Sequence, residues 1–156
     1  YALKKAKENG CTTILNPAPA RKIDEENFKL IDFFTPNETE AEFYLNKKIK
    51  TESDIKNAGQ ELLKKGVKNV IITLGEKGVY FANKDENFFL NAFELKEPVL
   101  DTTGAGDAFN GALTVSLASN LDIKEALIFA NKIAGISTTK LGAAASMPFT
   151  KDLVNY

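Results

Sequence analysis

The chain has 156 residues, of which 44% are hydrophobic and 26% charged, and its 20 Lys and Arg against 21 Asp and Glu give a formal net charge of −1. This balance fits one globular domain and argues against nucleic acid as a partner, because nucleic-acid binding needs a basic excess. Histidine is absent, which excludes His-based triads and most zinc sites. The one cysteine, Cys11, excludes an internal disulfide and fits a reducing, cytoplasmic setting.

The first 74 residues alternate between helical and extended patterns. Helices are predicted at 2–8, 24–31 and 51–65, and a further helix is predicted to begin at 37. Strands are predicted at 12–15, 32–34 and 68–74. The last strand has a continuous apolar centre, which is typical of a central parallel strand buried on both faces. Strands that alternate with helices indicate a parallel α/β sheet with helices on its faces.

Two loops follow predicted strands at their carboxyl ends, the edge of an open parallel sheet where ligands bind. The loop at 16–20 contains two prolines separated by an alanine, and it also fits a plain rigid connector. In the loop after 32–34, Asn37 is a helix N-cap candidate and Glu40 completes a capping-box pattern, which would explain both residues without a ligand. Three glutamates within 38–42 are nevertheless more than a cap needs.

The segment 75–78 is a predicted turn into a strand at 79–82, and from sequence alone a hairpin loop explains it best. Another extended apolar stretch lies at 87–93. Pro98 has no backbone N–H, which places its own segment at a sheet edge or in a loop. The region 79–99 is therefore predicted to form antiparallel strands at one edge of the sheet.

The stretch 101–111, Asp-Thr-Thr-Gly-Ala-Gly-Asp-Ala-Phe-Asn-Gly, leads into a helix predicted at 104–117. We call residues 101–107 the signature turn. A Gly-x-Gly turn before a helix points several N–H groups at one spot, which makes an anion site. Asp107 in this turn suits a base that takes a proton from an attacking hydroxyl. The alternative is a tight strand-to-helix turn, since the third glycine of a dinucleotide fingerprint and the Lys-Ser/Thr of a P-loop are both missing.

The remaining chain contains one further helix and a loop. Asp122 is the predicted N-cap of that helix, and Asn131 is a polar residue within it. Residues 138–148, which we call the tail loop, are too rich in glycine and alanine to pack a core of their own.

The signature turn with the following Ala-Phe resembles the C-terminal signature of the ribokinase-like (PfkB) carbohydrate kinases, and the runs at 16–21, 37–40 and 73–78 are similar to other parts of that family. The resemblance covers nearly the whole chain but only the C-terminal half of such an enzyme. It implies the corresponding portion of a three-layer α/β/α sandwich with a mostly parallel sheet. We expect residues 1–156 to form a single domain, with residues upstream of Tyr1 and the N-terminal sugar-binding lid missing.

The resemblance implies an ATP-dependent kinase that phosphorylates a small sugar, with ribose favoured. Asp107 would be the catalytic base, and the N–H groups of Gly104, Ala105 and Gly106 would cradle the transferred phosphoryl. Magnesium would lie near Asn37 and Glu40, with Glu40 acting through water.

Further ligands are implied by the same resemblance. The other nucleotide-binding residues would be Thr73, Gly75, Lys77, Gly78 and Asn131. A monovalent cation, K⁺, would be held by side chains of Asp101 and Ser146 and by carbonyls of Thr103, Thr138, Leu141 and Ala143. Without the resemblance, Asp101 is equally well explained as a cap, Lys77 as an exposed loop lysine and Asn131 as a partly exposed helix residue.

Three alternatives remain open. The chain could serve a family kinase for fructose, ketodeoxygluconate or a nucleoside, or it could be a nucleotide-binding module without turnover, although an intact Asp107 argues against a decayed site. A nucleic-acid binder is disfavoured by the charge. No apolar run approaches the roughly 20 residues of a membrane span, so no membrane partner is expected. Enzymes of this family are often dimers through the lid, so the resemblance makes a homodimer one option for the full-length protein, whose oligomeric state the sequence does not decide.

Overall fold

The computed structural model describes residues 1–155, which fall into two compact units, one from Tyr1 to Phe89 and one from Leu90 onward. That residues 1–156 form a single domain therefore stays a prediction. Within the described residues, no helix combines the length and the apolar character that crossing a membrane requires.

The elements follow the predicted order. The helices are α1 (Ala2–Glu8), α2 (Glu25–Phe28), α3 (Glu38–Leu45), α4 (Glu52–Lys64), α5 (Ala105–Ala118) and α6 (Ile123–Ser137). The strands are β1 (Ile14–Leu15), β2 (Phe33–Phe34), β3 (Asn69–Thr73), β4 (Val79–Ala82) and β5 (Asn87–Leu90). Short 3₁₀ turns lie at Gly75–Lys77, Ala144–Ser146 and Thr150–Asn155.

The strands form one mixed sheet in the order β1-β2-β3-β4-β5. β1 pairs with β2 and β2 with β3 in parallel, whereas β3 pairs with β4 in antiparallel register, Val70 opposite Ala82 and Thr73 opposite Val79. The parallel sheet predicted for the first 74 residues is confirmed, and β4 follows it antiparallel to β3. The central position predicted for the apolar strand is also confirmed, with the difference that β3 is parallel to only one neighbour.

The core of the first unit lies around β3, whose Val70, Ile71 and Ile72 are fully buried. α4 packs on β3 and β4, and the contact is close because Gly59 has no side chain. A Cβ at Gly59 would come within 2.6 Å of Tyr80 Cε1. The Tyr80 hydroxyl is buried and has no hydrogen-bond partner among the described residues.

A buried carboxylate fixes the start of the parallel strands. Asp32 is 6% exposed and accepts hydrogen bonds from Thr13 N (2.9 Å) and from the ammonium groups of Lys7 and Lys68 (2.8 Å for Lys68). Because Thr13 N is directed to this side chain, β1 begins at Ile14, and the strand predicted at 12–15 is too long. Burial would raise the pKa of Asp32, but these hydrogen bonds outweigh it and hold the pKa well below its ordinary value.

The helix predicted at 24–31 is also shorter than expected. α2 ends at Phe28, after which Leu30 N and Ile31 N donate to the carbonyls three residues before them, Asn27 O and Phe28 O. Such bonds tighten a helix end into a turn.

The second unit is built on α5 and α6, which pack along each other and bury Phe109, Leu113 and Leu127. The extended stretch predicted at 87–93 forms a strand only as far as Leu90. Beyond it, the segment 91–97 lies on α6, where a Cβ at Gly135 would meet Leu95 Cδ2 at 3.4 Å. Side-chain packing on a helix replaces strand pairing here, which is why the apolar pattern overstates the length of the strand.

Candidate active site

The carboxyl ends of β1, β2 and β3 meet at one edge of the first unit, which we call the ligand edge. Thr35 N donates to Leu15 O (3.0 Å), and Thr73 N donates to Pro36 O (3.0 Å). A parallel bridge joins Asn37 to Thr73 directly beyond the ends of β2 and β3. The structure therefore brings these two predicted nucleotide-binding residues together at the edge where open α/β sheets bind ligands.

Asn37 and Glu40 form the capping box that their spacing predicts. Asn37 Oδ1 accepts from Glu40 N at 2.8 Å, and Asn37 N donates to Glu40 Oε2 at 2.9 Å. Glu40 is 9% exposed although its side chain is ionisable. The box uses one carboxylate oxygen and leaves Oε1 with the capacity to accept further bonds, so the pair fits a magnesium ion bound through water.

The segment after β3 is a tight hairpin connection, as the sequence alone favoured. Gly75–Lys77 forms a 3₁₀ turn closed by a hydrogen bond from Leu74 N to Gly78 O at 2.8 Å. Gly78 has φ +95°, a conformation that residues with a side chain rarely adopt. A Cβ at Gly75 would meet nothing within 4 Å, so this glycine faces open space that a ligand could approach, and Lys77 is exposed.

In the second unit, Asp101 joins the signature turn to the tail loop. Its Oδ1 accepts from Thr103 N and its Oδ2 from Gly142 N, each at 2.9 Å. Hydrogen bonds from the Thr103 side chain and backbone, and then from Gly142, lower the pKa of Asp101 below its ordinary value. Only the presence of a glycine in the tail loop pointed to the Gly142 partner, and this glycine has φ +88°.

Gly104 is the N-cap of α5, and a residue with a side chain would be strained there. It has φ +82°, and a Cβ would lie 3.2 Å from the Cα and Cβ of Ala143 and 3.3 Å from Met147 Cε. Helix geometry leaves the N–H groups at 104–107 without partners inside the helix. Of these, Ala105 N donates to Thr102 O at 3.2 Å.

Asp107 lies in the first turn of α5, three residues after Gly104, and is exposed. No side-chain cap bond is formed at this helix start. A carboxylate therefore lies exposed beside helix N–H groups that can bind an anion, as the signature turn predicts.

The residues predicted to hold a monovalent cation are only partly suited to it. Thr138 O already accepts from both Leu100 N (2.8 Å) and Asp101 N (3.1 Å), which occupies its two lone pairs. Ser146 Oγ donates to Ala143 O at 2.8 Å, yet both oxygens keep further acceptor capacity.

Nothing in the structure argues against the other predicted ligands of this cation, which are Asp101 and the carbonyls of Thr103 and Leu141. Leu141 is 72% exposed. Within residues 1–155, no group of three or more Cys, Asp or Glu side chains could hold a metal. A cation here would therefore depend on carbonyl and hydroxyl oxygens besides Asp101.

Asn131 has a structural partner that the sequence did not reveal. Its Nδ2 donates to Asn91 O at 2.7 Å and ties the segment 91–97 to α6. This bond explains a polar residue at that position without a ligand, while the Asn131 side-chain oxygen keeps its capacity to accept.

Known proteins match both the sequence and the structure. Residues 2–150 match the profile described as pfkB family carbohydrate kinase. A ribokinase from Staphylococcus aureus (strain COL) is 40% identical over 153 residues, which are 97% of this chain and 50% of the relative. A deoxyribokinase from Salmonella typhi is 35% identical over 157 residues, or 100% of this chain and 51% of the relative.

Two solved structures show the same fold. A ribokinase from Thermotoga maritima superposes with a TM-score of 0.86 at 39% identity, covering 99% of this chain and 51% of that one. An Arabidopsis thaliana ribokinase complexed with ribose and ATP gives a TM-score of 0.90 at 30% identity, covering 98% and 49%. The predicted ribokinase-like α/β fold is confirmed, and the chain spans about half the length of the relatives it matches. With nearly all of its length matched, the chain belongs to the pfkB family of carbohydrate kinases.

Proposed function

We propose that this chain is part of an ATP-dependent sugar kinase whose substrate is ribose and whose products are ribose 5-phosphate and ADP. The observation that carries the proposal is the exposed Asp107 carboxylate in the first turn of α5, beside the helix N–H groups. Support for ribose comes from relatives that are named ribokinases at up to 40% identity and from the Arabidopsis ribokinase complexed with ribose and ATP.

Asp107 takes the proton of the sugar hydroxyl while the hydroxyl oxygen bonds to the γ-phosphorus of ATP. The bond between the γ-phosphorus and the oxygen that bridges it to the β-phosphate breaks, and ADP leaves with that oxygen. The negative charge on the transferred group is stabilised by N–H groups at the start of α5. Gly104 and Gly106 supply these donors most directly, because Ala105 N would have to share its proton with Thr102 O.

The residues at the ligand edge are proposed to bind the nucleotide. Glu40 and Asn37 orient water around Mg²⁺, which when bound neutralises charge on the nucleotide phosphates. Thr73 and the turn at 75–78 offer a hydroxyl, backbone groups and the Lys77 ammonium. Asn131, in the second unit, is proposed separately as a nucleotide ligand through its amide oxygen. Asp101, Thr103, Leu141, Ala143 and Ser146 are proposed to hold K⁺, with Thr138 supporting the site through its hydrogen bonds rather than as a ligand.

The test is ADP formation with Mg-ATP and, separately, no sugar, ribose, deoxyribose and fructose. The proposal expects ADP formation that depends on ribose. Deoxyribose is the second candidate, because a relative at 35% identity is named deoxyribokinase. Binding of Mg-ATP without turnover on any sugar would favour the nucleotide-binding module instead.

A further inference from the structure

The loop at 16–20 runs from the ligand edge to the last turn of α3 and is tethered at both ends. It begins after Leu15, the last residue of β1, whose carbonyl accepts from Thr35 N at 3.0 Å. At its far end, Tyr44 Oη donates to Arg21 O at 2.7 Å and accepts from Arg21 N at 3.4 Å. Residues 16–20 themselves form no hydrogen bond with the described part of the chain. The Arg21 bonds are therefore the first polar attachment after β1.

The Tyr44 ring is itself held firmly, so its hydroxyl has a fixed position. Its centroid lies 5.3 Å from the ring centroids of Phe34 and Phe43 and 5.9 Å from that of Phe28. All three pairs have T-shaped, edge-to-face geometry. Phe34 and Phe28 are buried, and Phe34 ends β2. The ring contacts therefore fix the Tyr44 side chain, and with it the hydroxyl, against the end of a sheet strand.

The hydroxyl is also suited to remain a donor. Burial raises the pKa of Tyr44 above its ordinary value and the charge of Glu40 adds to this, against the opposing effect of the Arg21 bond. Tyr44 lies one helical turn after Glu40 on α3, the helix whose first turn carries the capping box. One helix thus holds both the predicted magnesium residues and the anchor of the loop.

We propose that Tyr44 is a positioning residue, whose hydroxyl holds the end of the 16–20 loop against α3 and keeps this loop ordered at the ligand edge before the nucleotide binds. The inference rests on the proposed function in one respect, namely that Mg-ATP binds at this edge. When the loop is ordered in advance, the ligand does not have to order it. If the hydroxyl is removed and the loop loses this order, a smaller fraction of molecules is competent to bind, and the apparent Kd rises by the same factor.

The test compares two tyrosine-to-phenylalanine variants in this chain. Tyr44→Phe removes the two hydrogen bonds to Arg21 and keeps the ring contacts. Tyr80→Phe is the matched control, because the buried Tyr80 hydroxyl has no partner to lose. Amide hydrogen exchange of Arg21, whose N–H donates to Tyr44 Oη, is measured for both variants, together with calorimetric titration by Mg-ATP.

The proposal expects faster exchange at the Arg21 amide in Tyr44→Phe. It also expects a Kd for Mg-ATP about twofold to tenfold higher, the range that one ordinary hydrogen bond covers. Neither change is expected in Tyr80→Phe. Unchanged exchange in Tyr44→Phe would overturn the anchoring, and faster exchange with unchanged Kd would overturn the positioning role. If the unaltered chain binds no Mg-ATP, the proposed function fails for this chain and the positioning role fails with it. The exchange result would still decide whether the hydroxyl orders the loop.

Discussion

Four helices of this chain, α3 to α6, carry an acidic residue three residues after the N-cap. In α3 and α4 the carboxylates of Glu40 and Asp54 each accept a hydrogen bond from the N–H of their own N-cap residue, at 2.9 Å in both cases. In α5 the N-cap is Gly104, which has no side chain, and Asp107 forms no cap bond. In α6 the N-cap side chain itself forms the cap, because Asp122 accepts from Lys124 N and Glu125 N. Among these four helices, only α5 combines an acidic residue at this position with an N-cap that has no side chain.

This difference separates residues that local structure explains from a residue that it does not. Glu40 and Asp54 would be retained in a protein without any ligand, because capping boxes stabilise helix starts. Asp107 gains only the general attraction of a carboxylate to a helix N-terminus. We propose that proton transfer explains its place beside helix N–H groups, and substitutions at these positions test the contrast.

The largest effect is expected from Asp107→Asn. An amide cannot accept the hydroxyl proton, so ribose-dependent ADP formation should fall by about 10²-fold to 10⁴-fold, the usual contribution of a general base. The Kd for Mg-ATP should change little, since the substitution removes no bond to the nucleotide that we propose. A variant that keeps most of its turnover would show that Asp107 is not the base.

Asp32→Asn tests a carboxylate that the fold requires. The substitution removes charge-assisted hydrogen bonds to Lys7 and Lys68, and we expect it to lower the free energy of unfolding by about 2 kcal/mol. Urea denaturation measures this. Nucleotide affinity of the folded variant should be unchanged, in contrast to its loss of stability.

The pH dependence of stability should report the same residue. A carboxyl with a depressed pKa stabilises the folded state fully above its ordinary value of about 4, and this contribution is lost as the pH falls towards the folded-state pKa. Unfolding free energy should therefore decline below about pH 4 to 5 in the unaltered chain, and Asp32→Asn should flatten that decline. Parallel acid profiles for the two proteins would contradict the assignment.

Gly104→Ala should destabilise the second unit by about 1 to 3 kcal/mol, because φ is positive and the new Cβ would press on Ala143 and Met147. Gly106→Ala is the matched control, since its Cβ would meet nothing within 4 Å. Thermal unfolding should rank Gly104→Ala clearly below Gly106→Ala. Equal melting temperatures would mean that the tail loop does not press on the turn.

The smallest effect is expected from breaking the two capping boxes. Glu40→Ala should lower the unfolding free energy by about 1 kcal/mol, and Asp54→Ala should lower it as well. Only Glu40→Ala should also weaken Mg-ATP binding, because only Glu40 lies at the ligand edge. If both variants bind Mg-ATP as tightly as the unaltered chain, the role of Glu40 is confined to capping.

Features encoded by a few neighbouring residues were predictable from the sequence. The boxes of α3 and α4 need only residues three apart, and the cap of α6 is formed by Asp122, which accepts from Lys124 N and Glu125 N as expected. The start of α5 was predictable because Gly104 and Asp107 lie within one turn.

Features that join distant parts of the chain were not predictable. The two bonds that saturate Thr138 O come from residues nearly forty positions earlier, and the partner of Asn131 is forty positions away. Helix or loop character gives no information about such pairings, since any carbonyl or amide can take part. The role of Tyr44 was missed for the same reason, because its partner is a backbone group at Arg21 rather than a recognisable side chain.

The most direct test of the account is calorimetric titration of this chain with Mg-ATP, with and without K⁺. The account predicts binding that K⁺ strengthens, because K⁺ would hold the tail loop against the signature turn. A chain that is folded by circular dichroism and binds no Mg-ATP under either condition would contradict it.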